Sequence, residues 1–151
     1  MSQEVGETAP CFSFTGITAA NMAGRVRYGA VGKYAASFNG RSAALNKHSF
    51  AINNSTIAKG EETFAQGYET IAEGNSSFAG GTRTWARGEA AVSLGARTQA
   101  LGEVSLATGA DTIAEGIAAA SFGNGTLAWG QYSVASGNMT KAFGHSSYAG
   151  G

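Results

Sequence analysis

Catalysis needs titratable or metal-binding side chains held close together, and this chain offers few. Glu61, Glu62, Glu69 and Glu73 fall within thirteen residues, near enough in sequence for a carboxylate pair to do general acid–base work. The pattern described below sets them on turns and outward positions, so a solvated acidic surface is expected instead. His48 and His145 lie far apart, and neither has a histidine or cysteine at metal-ligand spacing. Cys11 is the only cysteine, so no intrachain disulfide forms, and it reads as a small buried side chain. The many glycines make no phosphate loop, because no helix follows them. They make no calcium-binding nonapeptide roll either, which needs an aspartate in every repeat. The expectation is a protein without catalytic residues, cofactor or metal.

What the sequence does have is a repeat. Glycine occupies positions 60, 67, 74, 81, 88, 95, 102, 109, 116, 123, 130, 137, 144 and 151. Counting back in the same frame gives Asn53, Asn46, Asn39 and Gly32, and the frame fails at Arg25. Asparagine is the commonest substitute for glycine in the left-handed region, so the spacing predicts a turn of positive φ every seventh residue. Around each glycine the unit reads [S/T]-h-A-x-G-x-x, as in TIAKG, TFAQG, SLATG and SVASG. An extended run closed by a tight turn makes a short strand and a corner. A helix is excluded, since each glycine within it would cost about 1 kcal/mol. With 23 glycines and one proline among 151 residues, collagen is excluded as well.

By every position but the glycine, the period is fourteen. Four residues before alternate glycines stand Thr56, Thr70, Thr84, Thr98, Thr112, Thr126 and Thr140, while the intervening repeats carry Thr, Ser or Ala there. Two kinds of strand therefore alternate, and one coil holds two strands and two turns. Side chains alternate across a strand, so the alanine and Ser/Thr positions share a face. A two-strand coil is flat and only small residues suit its interior, so that face points inward. The threonines then do not form the outward rows of an ice-binding surface. On one strand type the outer positions carry Phe50, Phe64, Phe78, Val92, Leu94, Leu106, Phe122, Val134 and Tyr148, with no charge. On the other they include Lys59, Glu73, Arg87, Glu115 and Lys141. The first is expected to be an interface between copies of the chain, the second a solvated surface.

The stretch Ser133-Val134-Ala135-Ser136-Gly137, continuing to Thr140, Ala142 and Gly144, resembles the head repeat of trimeric autotransporter adhesins of the Yersinia adhesin A type. The resemblance covers residues 32–151 through eighteen consecutive frame positions. It implies an all-β fold, a left-handed parallel β-roll solenoid with 14-residue coils, assembled side by side as a homotrimer. Similar repeats occur in bacteriophage fibre proteins. The N-terminus, MSQEVGETAPCFSF, lacks the basic and apolar regions of a secretory signal. No neck, coiled-coil stalk or membrane barrel accompanies the repeats. The reading is therefore a non-catalytic trimeric fibre of a bacteriophage virion, structural and suited to host attachment. The alternative is a bacterial adhesin head on the cell surface. The closing repeat glycine suggests a chain that continues beyond Gly151.

Residues 1–27 lie outside the repeat and read as an N-terminal cap or an anchor to another virion protein, with residues 28–151 forming the roll. Between residues 8 and 60 stand Arg25, Arg27, Lys33, Arg41, Lys47 and Lys59 and no acid. Trimerisation would triple that charge into a basic base, suited to an acidic partner surface. No aromatic–basic interleaving accompanies it, so nucleic acid is not expected as a partner. No run approaches the roughly 18 apolar residues of a membrane span. Host attachment implies a host-surface receptor as a further expected partner.

Overall fold

A computed structural model describes Phe12–Ser13 and residues 29–151. Among the described residues there is no helix, and all strands pair in parallel in two sheets. The ten-stranded sheet runs through Phe12–Ser13, Ala36–Phe38, Phe50–Ile52, Phe64–Tyr68, Phe78–Thr82, Val92–Ala96, Leu106–Ala110, Ala120–Asn124, Val134–Asn138 and Tyr148–Gly150. The nine-stranded sheet consists of two-residue strands from Gly29–Ala30 to Lys141–Ala142. Chain order alternates between the sheets. From Gly29 onward each strand residue pairs with the one a coil later, as in Phe64↔Phe78 and Ala86↔Ala100. The fold is thus the expected parallel β-solenoid with coils of fourteen residues. The step from Phe12–Ser13 to Ala36–Ser37 is longer than one such coil.

The interior is built as the alternation requires. Ala51, Ala58, Ala65, Ala72, Ala79 and their successors are fully buried between the sheets. Thr56, Thr70, Thr84, Thr98, Thr112 and Thr126 are buried beside them. Hydroxyls in so narrow a space need partners. Three alanine positions carry serine, and each serine meets the hydroxyl five residues on, across the interior. Ser37 Oγ lies 2.6 Å from Ser42 Oγ, Ser93 Oγ 2.7 Å from Thr98 Oγ1, and Ser121 Oγ 2.6 Å from Thr126 Oγ1. Where alanine stands instead, at Ala65, Ala79 and Ala107, the facing Thr70, Thr84 and Thr112 hydroxyls have no bond. Ala107→Ser should supply Thr112 with its partner and stabilise the protein by about 1 kcal/mol. A thermal melt should then show a midpoint about 2–4 °C higher. A lowered midpoint would count against this pairing rule.

The corners differ from the expectation of one left-handed glycine every seven residues. Positive φ occurs in alternate frame positions only: Asn39, Asn53, then Gly67, Gly81, Gly95 and onward. Even there the glycine is not the corner. It lies inside the long strand, and the chain turns two residues later. The left-handed corner residues are not glycines with two exceptions, Gly40 and Gly125: they are Glu62, Glu69, Ser76, Arg83, Ala90, Arg97, Val104 and their counterparts, with φ near 55° at Arg97. The reason is a hydrogen bond. In that conformation the N–H of Glu62 and of every later corner residue donates back to the preceding coil, as from Arg83 to the Tyr68 carbonyl and from Val104 to the Glu89 carbonyl, both 2.8 Å. The left-handed cost of about 1–2 kcal/mol is offset by continuing the inter-coil ladder around the bend. Strand lengths are unequal too: from Phe64–Tyr68 to Val134–Asn138 five residues run through the glycine in one sheet, whereas two precede it in the other.

The remaining glycines answer a different demand. Gly88 lacks a positive φ, but a Cβ there would lie 1.9 Å from the carbonyl oxygen of Gly102 in the next coil. It is glycine because the backbones of successive coils approach too closely for any side chain.

Candidate functional site

The outer face of the ten-stranded sheet holds the predicted interface residues in two columns. Phe50, Phe64, Phe78, Val92, Leu106, Val134 and Tyr148 share one register, with Ala120 between Leu106 and Val134. Leu94 and Phe122 belong to a second column two residues along, where Gln66, Gly80, Thr108 and Ser136 interrupt the apolar run. The parallel register stacks the rings directly. Phe50 and Phe64 have centroids 5.1 Å apart and Phe64 and Phe78 5.0 Å, the latter pair inclined by only 1°. Phe38, in the second column beside Ile52, meets Phe50 diagonally at 5.2 Å with its ring tilted by 47°. The Phe78 ring and Leu94 both reach over Gly80, whose absent side chain leaves them room. In the single chain most of this column is only half-buried by its own neighbours, and Tyr148 is exposed.

The nine-stranded sheet is less polar outside than its charges suggest. Ile57, Ile71, Trp85, Gln99, Ile113 and Leu127 stack in register. The signal was present in TIAKG and TIAEG, where the residue before the alanine is large. The charged flank of Lys59, Glu73, Arg87 and Glu115 runs beside it, two residues along. That flank pairs along the stack. Lys59 Nζ donates to Glu73 at 2.7 Å, and the Trp85 indole N–H donates to the same carboxylate at 3.1 Å. The Lys59 bond holds the Glu73 carboxyl below the usual carboxylate range, against a smaller opposing effect of burial.

The charge clusters seen in the sequence are separated by the coil. Glu69 stands at one corner, bonded to Arg83 at 2.8 Å, and Arg97 forks onto Asp111 in the next coils of that edge. The bond from Arg97 lowers the Asp111 carboxyl. Glu61 and Glu62 turn at the opposite corner, where Glu62 lies 3.8 Å from His48. Glu69 therefore stands at a different corner from Glu61 and Glu62, and Glu69, Glu62 and Glu73 each face a basic side chain of a neighbouring coil. Of the predicted basic base, Lys33 and Lys47 sit one coil apart on the Glu61 edge, and Arg41 turns at the other. Lys33 lies over the Tyr34 ring at 5.4 Å. Arg25 and Arg27 lie outside the described residues, as does most of the segment 1–27 read as a cap or anchor. Among the described residues no cluster of metal-binding side chains occurs. Compared with protein-family models and with curated proteins, the sequence finds no match.

Proposed function

We propose that this chain is a rigid, non-catalytic rod that trimerises through the outer face of its ten-stranded sheet and serves as a fibre of a bacteriophage virion. The observation that carries the reading is the uncharged column from Phe50 to Tyr148, half-covered in one chain and continuous along the stack. The alanine interior supplies little large apolar burial, whereas each phenylalanine or leucine fully removed from water contributes about 1.5–3 kcal/mol. Regular coils joined by backbone ladders give a stiff spacer, and the resemblance of the repeat to trimeric adhesin heads and phage fibres supports three chains. Anchorage to another virion protein belongs to residues 1–27 in this reading.

Phe78→Asp tests it. A carboxylate in the middle of the column would be buried without a partner in the assembly, at a cost of about 2 kcal/mol or more per chain. Sedimentation should give three chains for the parent protein and one for the variant, with the β-type circular dichroism kept. A parent protein that sediments as a single chain would sink the proposal.

A further inference from the structure

The assembly proposed above uses one face of the coil and leaves the other side free. In residues 116–151 the only charged side chain is Lys141, yet that stretch exposes Trp129 (53%), Tyr132 (56%) and Phe143 (55%). These side chains lie where the nine-stranded sheet runs into the turn after it. Trp129 has Glu115 and Phe143 as coil neighbours, and Tyr132 has Ala118 and Ser146. Trp129 and Tyr132 have a coil on either side, so their exposure is a property of the surface itself, whereas Phe143 stands in the last coil.

The rings form two pairs, one on each side of Gly130 and Gln131, along a single rim. Trp129 and Phe143 have centroids 5.5 Å apart, tilted by 59°. Tyr132 meets His145 edge-on at 5.4 Å. The backbone beneath is fixed: the Trp129 N–H donates to the Ala142 carbonyl and the Tyr132 N–H to the Ile117 carbonyl, both at 2.9 Å. Exposed Gln131 stands between the two aromatic residues, and His145 Nδ1 lies 3.0 Å from Ser146 Oγ. That leaves the other imidazole nitrogen for a ligand.

We propose that this rim binds an uncharged glycan, a role that rests on the attachment function of the fibre reading. A sugar ring has an apolar C–H face and a girdle of hydroxyls. The first suits Trp129 and Phe143; the second suits the amide of Gln131, the phenol of Tyr132 and the imidazole of His145. None of the five is an acid, a lysine or an arginine, so they match an uncharged ligand, and the nearby stretch offers an anionic one only Lys141. The rim spans two coils spaced by about 4.8 Å, a length suited to one or two sugar rings. Five side chains fall far short of the roughly 20–30 residues a side of a stable protein interface.

The test uses the full chain on a printed array of uncharged and anionic glycans, followed by calorimetric titration of the best uncharged oligosaccharide. Binding to uncharged glycans is expected. Trp129→Ala and Tyr132→Ala should each weaken it by about tenfold or more, and Trp85→Phe, off the rim, should not. The same samples are sedimented. A trimer that binds no uncharged glycan, binds anionic ones alone, or binds equally well as Trp129→Ala overturns the rim. A single chain that binds and loses binding in Trp129→Ala sustains the rim while refuting the trimer.

Discussion

Gly95→Ala is expected to lower the thermal midpoint by about 10 °C. Two separate costs meet at this residue. Its φ is +126°, a conformation closed to residues with a side chain, and forcing it costs about 1–3 kcal/mol. A Cβ there would also lie 2.0 Å from the carbonyl oxygen of Gly109. That oxygen belongs to the ladder of the next coil and cannot move without breaking bonds on both sides, so the overlap adds about as much again. At about 2–4 °C per kcal/mol, the sum gives the stated shift. Two further variants separate the costs. Gly88→Ala meets only the overlap, at 1.9 Å from the Gly102 oxygen, and should be the milder. Gly80→Ala should be milder still, because its new methyl meets the side chains of Leu94 and Phe78, which can shift. Midpoints are read by circular dichroism. Equal effects of Gly95→Ala and Gly80→Ala would contradict the stacking described here.

Ala107→Leu is the second large effect. Ala107 is completely buried, with Ser93 in the coil before and Ser121 in the coil after it at the same position. A leucine cannot find space along the stack, because those positions are also filled, nor across it, where the opposing sheet supplies Thr112. Overpacking costs about 1–3 kcal/mol in ordinary cores, and a flat two-sheet interior has less freedom to relax. In a solenoid, stability is a sum of coils and the contacts between neighbours. The damage should therefore fall on the contacts of one coil and open the stack there. A midpoint lowered by about 5–10 °C is expected, with new protease cleavage close to residue 107. Serine at the same site should do the reverse, so the pair of variants distinguishes volume from polarity. Unchanged stability in the leucine variant would refute the inward alanine face.

The core was legible because its cause is local and repeated. Alanine or serine two residues before each repeat glycine from Gly60 on, and a small residue four before it that is threonine in alternate repeats, can share a face only in an extended chain, and only small residues fit a flat coil. The column from Phe50 to Tyr148 was legible for the same reason: a period of fourteen stacks equal positions. The Ile57–Leu127 column could have been read likewise, and was hidden by the charges beside it. The rim of Trp129, Tyr132, Phe143 and His145 could not. Its members occupy different frame positions, and only the path of the chain from sheet to turn brings them to one edge.

Glycine shows most sharply where sequence stops. Its spacing determined the period, the extended backbone and the small-residue interior. It could not say why each glycine is there. Gly95 needs its φ, Gly88 needs only to lack a side chain, and the left-handed bend falls on residues such as Val104 that carry no sign of it. Those assignments were settled by the coil fourteen residues away, whose carbonyl oxygens approach the glycines and accept the hydrogen bonds that turn the corners. Such contacts depend on how the backbone stacks in space, so no single stretch of sequence contains them.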